Sequence, residues 1–120
     1  MAKPLVVDAS LIFRLVVPGP HYDHVRPLVT QWRDAECTLH APSLWLYEVT
    51  SAICKAVYAG ALIEVEGRRA LALAQALGVI TVIPDEAQVA LAFDWTRRMS
   101  RVAAYDSFYL ALAETLHCDL

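Results

Sequence analysis

Charge is scarce in this sequence of 120 residues. Asp, Glu, Lys and Arg together make 19%, below the roughly 25% of an average soluble domain. The net charge of −3 with a pI near 5.7 does not mark a nucleic-acid binder through bulk electrostatics. Cysteine is sparse too: Cys37, Cys54 and Cys118 are odd in number and include no CxxC pair. A disulfide framework or thiolate zinc site is therefore not expected, and a reducing cytoplasm fits best. No apolar run reaches the ~18 residues of a membrane span. The longest, Ala70 to Ile83, is broken by Gln75, Gly78 and Thr81, so no membrane association is expected. Met1-Ala2-Lys3-Pro4 leads directly into Leu5-Val6-Val7, too short a preamble for a signal peptide.

Several site motifs are missing as well. There is no GxxxxGK[ST] or GxGxxG phosphate cradle and no GxSxG elbow. Ser10, Ser43, Ser51, Ser100 and Ser107 have no evident His partner. His21 and His24 are three apart but lack a third ligand, and His40 and His117 are scattered, so zinc is not expected.

What is abundant is apolar surface. Hydrophobic residues make 58% of the chain, enough to offset ordering entropy and exclude disorder. The length suits one domain, 1–120. Leu5-Val6-Val7, a uniformly apolar run ending at Asp8, predicts a strand buried on both faces, the best candidate for the centre of a sheet. A short helix follows over Ala9 to Val17, stopped at Pro18-Gly19-Pro20, and another over His21 to Ala35. Thr38 to Ala41 reads as the second strand. Ser43 is a suitable N-cap for a long helix ending near Ala59, with Gly60 as its stop. Glu64 to Leu77 is a helix with an acidic start. Val79 to Ile83 is a third strand. Asp85 caps a helix whose last turns hold Arg97, Arg98 and Arg101, and Asp106 opens a final helix to His117. Cys118-Asp119-Leu120 resembles the beginning of a further strand. Strands alternating with helices predict an α/β fold, a parallel sheet covered on both faces.

Three acids stand out against this pattern. Asp8 lies at the carboxyl end of a strand, where open parallel sheets bind ligands, and it could equally cap the helix from Ala9 with Ser10 assisting. Glu48 interrupts Leu44-Trp45-Leu46-Tyr47-Glu48-Val49 and shares a stripe with Ser51 and Lys55. That stripe either faces water or lines a cleft on a helix buried over most of its girth. Asp106 is either an N-cap or a site residue. Three carboxylates converging at one end of the sheet would repel one another unless a cation neutralised them. All-oxygen ligands suit Mg2+ or Mn2+ rather than zinc, and such an ion can bind phosphate oxygens and acidify water, the equipment for phosphodiester hydrolysis. The 8 Arg against 2 Lys admit two readings, genome composition or bidentate phosphate contacts.

Three segments carry a family resemblance: Val6-Val7-Asp8-Ala9-Ser10, Pro42-Ser43-Leu44-Trp45-Leu46-Tyr47-Glu48-Val49, and Tyr105-Asp106-Ser107-Phe108-Tyr109-Leu110-Ala111-Leu112-Ala113-Glu114. In order and spacing they resemble the PIN-domain family, with the VapC-type toxins of toxin–antitoxin pairs the nearest likeness. The resemblance implies a three-layer α/β/α fold and Mg2+- or Mn2+-dependent cleavage of single-stranded RNA. Asp8, Glu48 and Asp106 match the family's first three acidic positions, and Asp8 and Asp106 would be the principal metal ligands. Ser10 matches a small polar residue supporting the first acid, and Ser51 stands where the family often has Asn. The fourth acid, which the family places in a Thr-Ala-Asp segment after the last helix and strand, has no counterpart before Leu120; Asp119 is in the wrong context. The last strand is thus expected to be truncated here.

By the same likeness the chain is a cytoplasmic toxin ribonuclease paired with a cognate antitoxin and forming a homodimer. The apolar excess independently suggests a buried interface without choosing between those partners. Arg97, Arg98 and Arg101 are candidates for steering the RNA backbone. Trp45, Tyr47, Phe108 and Tyr109 could stack bases, although their helical spacing favours core packing. Two rivals remain. A phosphoacceptor receiver domain would need adjacent acids after the first strand and a suitably placed Lys, which this chain lacks. A PIN-like module that binds RNA or protein with weak or no catalysis is favoured by the missing fourth acid.

Overall fold

The computed structural model describes residues 2–19 and 22–120, with the backbone alone for residues 22–24. His21, and the side chain of His24, lie outside the described residues. Nine elements follow in order: β1 (Lys3–Val6), α1 (Ala9–Val16), α2 (Tyr22–Asp34), β2 (Cys37–Pro42), α3 (Leu44–Tyr58), α4 (Glu64–Ala76), β3 (Ile80–Val82), α5 (Glu86–Arg98) and α6 (Tyr105–Leu116). The described strands form one parallel sheet in the order β1-β2-β3, with Leu5 opposite Leu39 and His40 opposite Ile80. The fold is α/β, as the alternation predicts, and six described helices flank the sheet.

The expected position of the first strand is corrected. Among the described strands β2, not β1, is central. Two of its inward residues, Leu39 and Ala41, are buried. The outer edge of β1 is met by the tail after α6, where the Val6 N–H donates to the Asp119 carbonyl at 3.1 Å. Cys118-Asp119-Leu120 thus meets β1 at this bond but forms no strand there, which corrects the expectation that a further strand begins at these residues.

The local signals explain most boundaries. Asp85 caps α5 through the Gln88 N–H at 2.8 Å, and Glu66 reaches back to the Ile63 N–H at 3.0 Å to begin α4. Ser43 is a correction: it lies in helical backbone and makes no side-chain cap, its own N–H instead donating to the Val82 carbonyl. The β2–β3 connection thus uses the backbone of Ser43, and α3 starts without help from its hydroxyl. Arg101 is another correction. Ser100 takes φ 54°, and the Ser100 and Arg101 N–H groups close back on the Arg97 and Thr96 carbonyls. This left-handed closure ends the helix before Arg101 can join it.

Ile12, Ile53, Leu112, Val6 and Val7 form the deepest part of the core. α1, α3 and α4 pack mutually, α6 packs on β1 and β2, and α5 packs on α6. The α3–α4 approach is close at Gly67, where a Cβ would stand 2.7 Å from Val57 Cγ2. Trp45, Val49 and Ile53 are buried, whereas Leu46 and Tyr47 are exposed, so α3 hides less of its girth than its composition implies.

Candidate active site

Asp8 follows β1 directly and performs the capping role that its position allowed. Its Oδ1 accepts the Leu11 N–H at 2.8 Å and the Ser10 hydroxyl at 3.1 Å. Both bonds fall on one oxygen, leaving Oδ2 without a hydrogen bond among the described residues. Capping and site function are thus compatible in Asp8.

Glu48 is half-buried on α3. The Tyr109 hydroxyl donates to Glu48 Oε1 at 2.5 Å, joining positions 61 residues apart. The other members of the expected stripe, Ser51 and Lys55, are exposed, and neither bonds to Glu48. The cleft-lining reading of Glu48 therefore rests on Tyr109, whose helical spacing marks it only as a core aromatic. Tyr109 is indeed buried, at 3% exposure, but its polar tip has a partner, as buried tyrosines generally require. Trp45, one turn before Glu48, has no such partner: its Nε1 is buried without a hydrogen bond among the described residues.

Asp106 does not cap α6. The cap position is Ala104, and Asp106 stands in the first turn, where its charge suits the helix dipole. It is exposed, and its side chain makes no hydrogen bond to a described residue. Its capping alternative is thereby removed.

The three acids share an electrostatic neighbourhood around Tyr109. Burial pushes the Tyr109 hydroxyl far above the usual tyrosine range. The hydrogen bond to Glu48 and the negative charges of Glu48, Asp8 and Asp106 push it further. Each of those charges reaches the same phenol because β1, α3 and α6 bring together residues scattered along the chain. No described Lys or Arg forms an ion pair with any of the three.

The donor set is all carboxylate oxygen, which fits a hard divalent cation and not zinc. Among the described residues, however, no three His, Cys, Asp or Glu side chains stand close enough together to hold a metal ion as placed. Shared field and closed ligand shell are different things, and the structure has only the first.

The arginines divide. Arg97 and Arg101 line a groove of about 400 Å³ with Phe93, Val102, Ala104 and Phe108, at the end of α6 that carries Asp106. Arg98 instead lies over the Trp95 ring, 4.7 Å from its centroid, while Trp95 Nε1 donates to Glu114. They do not form one basic cluster. Tyr47 and Phe108 are the accessible members of the aromatic set, exposed and half-buried respectively. Among the described residues no helix is long and apolar enough to cross a membrane.

No curated protein matches this chain. The family model described as PIN domain does, over residues 5–120, a span containing Asp8, Glu48, Asp106 and every element but the first two residues of β1. PIN domains are generally nucleases, hydrolases that act on nucleic acid and typically use divalent metals. With that match across nearly its whole length, the chain belongs to the PIN domain family.

Proposed function

We propose that this protein is a metal-dependent endoribonuclease that cleaves single-stranded RNA, and the toxin half of a VapBC-type toxin–antitoxin pair. The observation that carries the reading is the common field of Asp8, Glu48 and Asp106 at Tyr109, with no described basic side chain to neutralise it. Carboxylates that share a field without a counter-charge would be relieved by a cation. Asp8 and Asp106 are the principal ligands in this reading, with Glu48 completing the set directly or through water. Mg2+ or Mn2+, when bound, would supply charge stabilisation on the phosphate and acidify a water.

The remaining roles belong to the chain itself. Ser10 and the Leu11 N–H hold Asp8 by one oxygen. Asp106, unencumbered by hydrogen bonds among the described residues, is the acid with freedom to turn toward the other two. In this reading Glu48 would also orient the attacking water. Arg97 and Arg101 offer phosphate contacts along their groove, and Phe108 an apolar wall. Arg98 contributes less, being engaged with Trp95. Exposed Ile83 and Phe93 supply apolar surface suited to a protein partner, antitoxin or second copy.

Cleavage of a single-stranded RNA with Mg2+, with Mn2+ and with EDTA tests the reading. Wild type should cut with either ion and not with EDTA, and Asp8→Asn and Asp106→Asn should be at least about 100-fold slower. Equal rates for wild type and Asp8→Asn would overturn the site. RNA binding without cutting under every ion would favour the interaction-module alternative.

A further inference from the structure

We infer that Tyr109 is a positioning residue of this centre, whose hydroxyl ties down one oxygen of Glu48 and leaves the other, Oε2, to serve as the ligand atom. The inference rests on the proposed function and assigns a part to a residue outside the acidic set. Glu48 sits on α3, and Asp106 and Tyr109 sit three positions apart on α6, within neighbouring turns of one helix face. The 2.5 Å bond from Tyr109 to Glu48 Oε1 is the only hydrogen bond among the described residues that links the acid of α3 to the helix bearing Asp106. No other hydrogen bond from a described residue reaches the Glu48 carboxylate, Ser51 and Lys55 included.

Asp8 repeats the arrangement. Its two hydrogen bonds both fall on Oδ1, and Oδ2 is left uncommitted. Two of the three acids are therefore each held by one oxygen and open at the other. Groups that hold metal ligands from behind commonly fix which atom faces the ion.

Calorimetric titration with Mn2+ of wild type, Tyr109→Phe and Glu48→Asp tests this, with cleavage followed at low and saturating Mn2+. Phe keeps the buried ring and removes only the hydroxyl. Tyr109→Phe should bind Mn2+ about 10- to 100-fold more weakly, with cleavage recovering toward the wild-type rate at saturating ion. Glu48→Asp, which draws the carboxylate back by one methylene from the Tyr109 hydroxyl, should lose a similar factor. Adding Tyr109→Phe to Glu48→Asp should cost little more, as expected of two groups acting through one contact. Wild-type Mn2+ affinity in a folded Tyr109→Phe, while wild type binds Mn2+ and cleaves RNA, would overturn the inference and leave the function standing. Should Tyr109→Phe fail to fold, wild-type affinity in Glu48→Asp would overturn it equally. Absence of Mn2+ binding in wild type would instead overturn the proposed function and this inference with it.

Discussion

The backbone N–H of Leu11 donates to Asp8 Oδ1 at 2.8 Å, so the carboxylate that begins α1 is also the one the proposed function makes a metal ligand. The two roles separate by substitution. Asn caps helices about as well as Asp, whereas Ala costs about 0.5–2 kcal/mol. Asp8→Asn should therefore change unfolding free energy by less than about 1 kcal/mol, and Asp8→Ala by up to about 2 kcal/mol. Both should abolish metal-dependent cleavage. Denaturant unfolding in EDTA, beside the RNA assay, reads the two effects independently.

Alkaline pH should expose the Tyr109 environment. Its folded pKa is raised above the unfolded value of about 10, so the native state retains a proton that the unfolded chain releases. The stabilisation is complete below about pH 10 and is lost as pH rises beyond it, at up to roughly 1.4 kcal/mol per pH unit. Burial pushes the Cys118 thiol up as well, adding a loss of the same sign. Tyr109→Phe isolates the tyrosine: measured in EDTA between about pH 9 and 11, its stability should fall less steeply than that of wild type. Parallel curves would contradict the assignment.

Gly67→Ala should destabilise despite improving helix propensity. Alanine in a helix interior gains about 1 kcal/mol over glycine, but its Cβ would stand 2.7 Å from Val57 Cγ2. Valine is β-branched and stiff at χ1, so it yields poorly. A net loss of about 1–2 kcal/mol is expected. Pairing the change with Val57→Ala should recover part of that loss, because the second change removes the obstructing methyl. Thermal unfolding of the single and double variants checks both statements.

Salt dependence distinguishes the arginines. If Arg97 and Arg101 each neutralise one RNA phosphate, replacing both with Ala should lower the slope of log K against log salt by about 1.4 in magnitude, at about 0.7 per contact on a single strand. Arg98→Ala should change that slope less, since its guanidinium lies over Trp95. Filter binding with a catalytically impaired Asp8→Asn background, across a salt series, makes the comparison without cleavage.

Local chemistry was legible from residue order. Apolar runs ended at Asp8 and Pro42, Asp85 capped α5, and Gly60 and Gly78 took positive φ just beyond their helices. These depend on a few neighbouring residues and follow from side-chain size, hydrogen bonding and backbone freedom. The acidic positions were also visible, because an acid in an apolar run is conspicuous wherever the chain folds. Helix closures carried by non-glycine residues were not legible: Ser100 ends α5 in a left-handed conformation that its residue type does not announce. Nor was the failure of Ser43 to cap, since a competing backbone bond to Val82 arrives from 39 positions away.

Residue order by itself determined the alternation of strands and helices, the α/β class and the short list of acids, because these express periodicity and side-chain chemistry within a few turns. Only the packed molecule decided that β2 is central, that Arg98 parts from Arg97 and Arg101, and that a phenol on α6 holds an acid on α3. Each of those is a contact between distant segments. Such contacts depend on how helices settle against a sheet to exclude water and satisfy buried polar atoms, which no local pattern records.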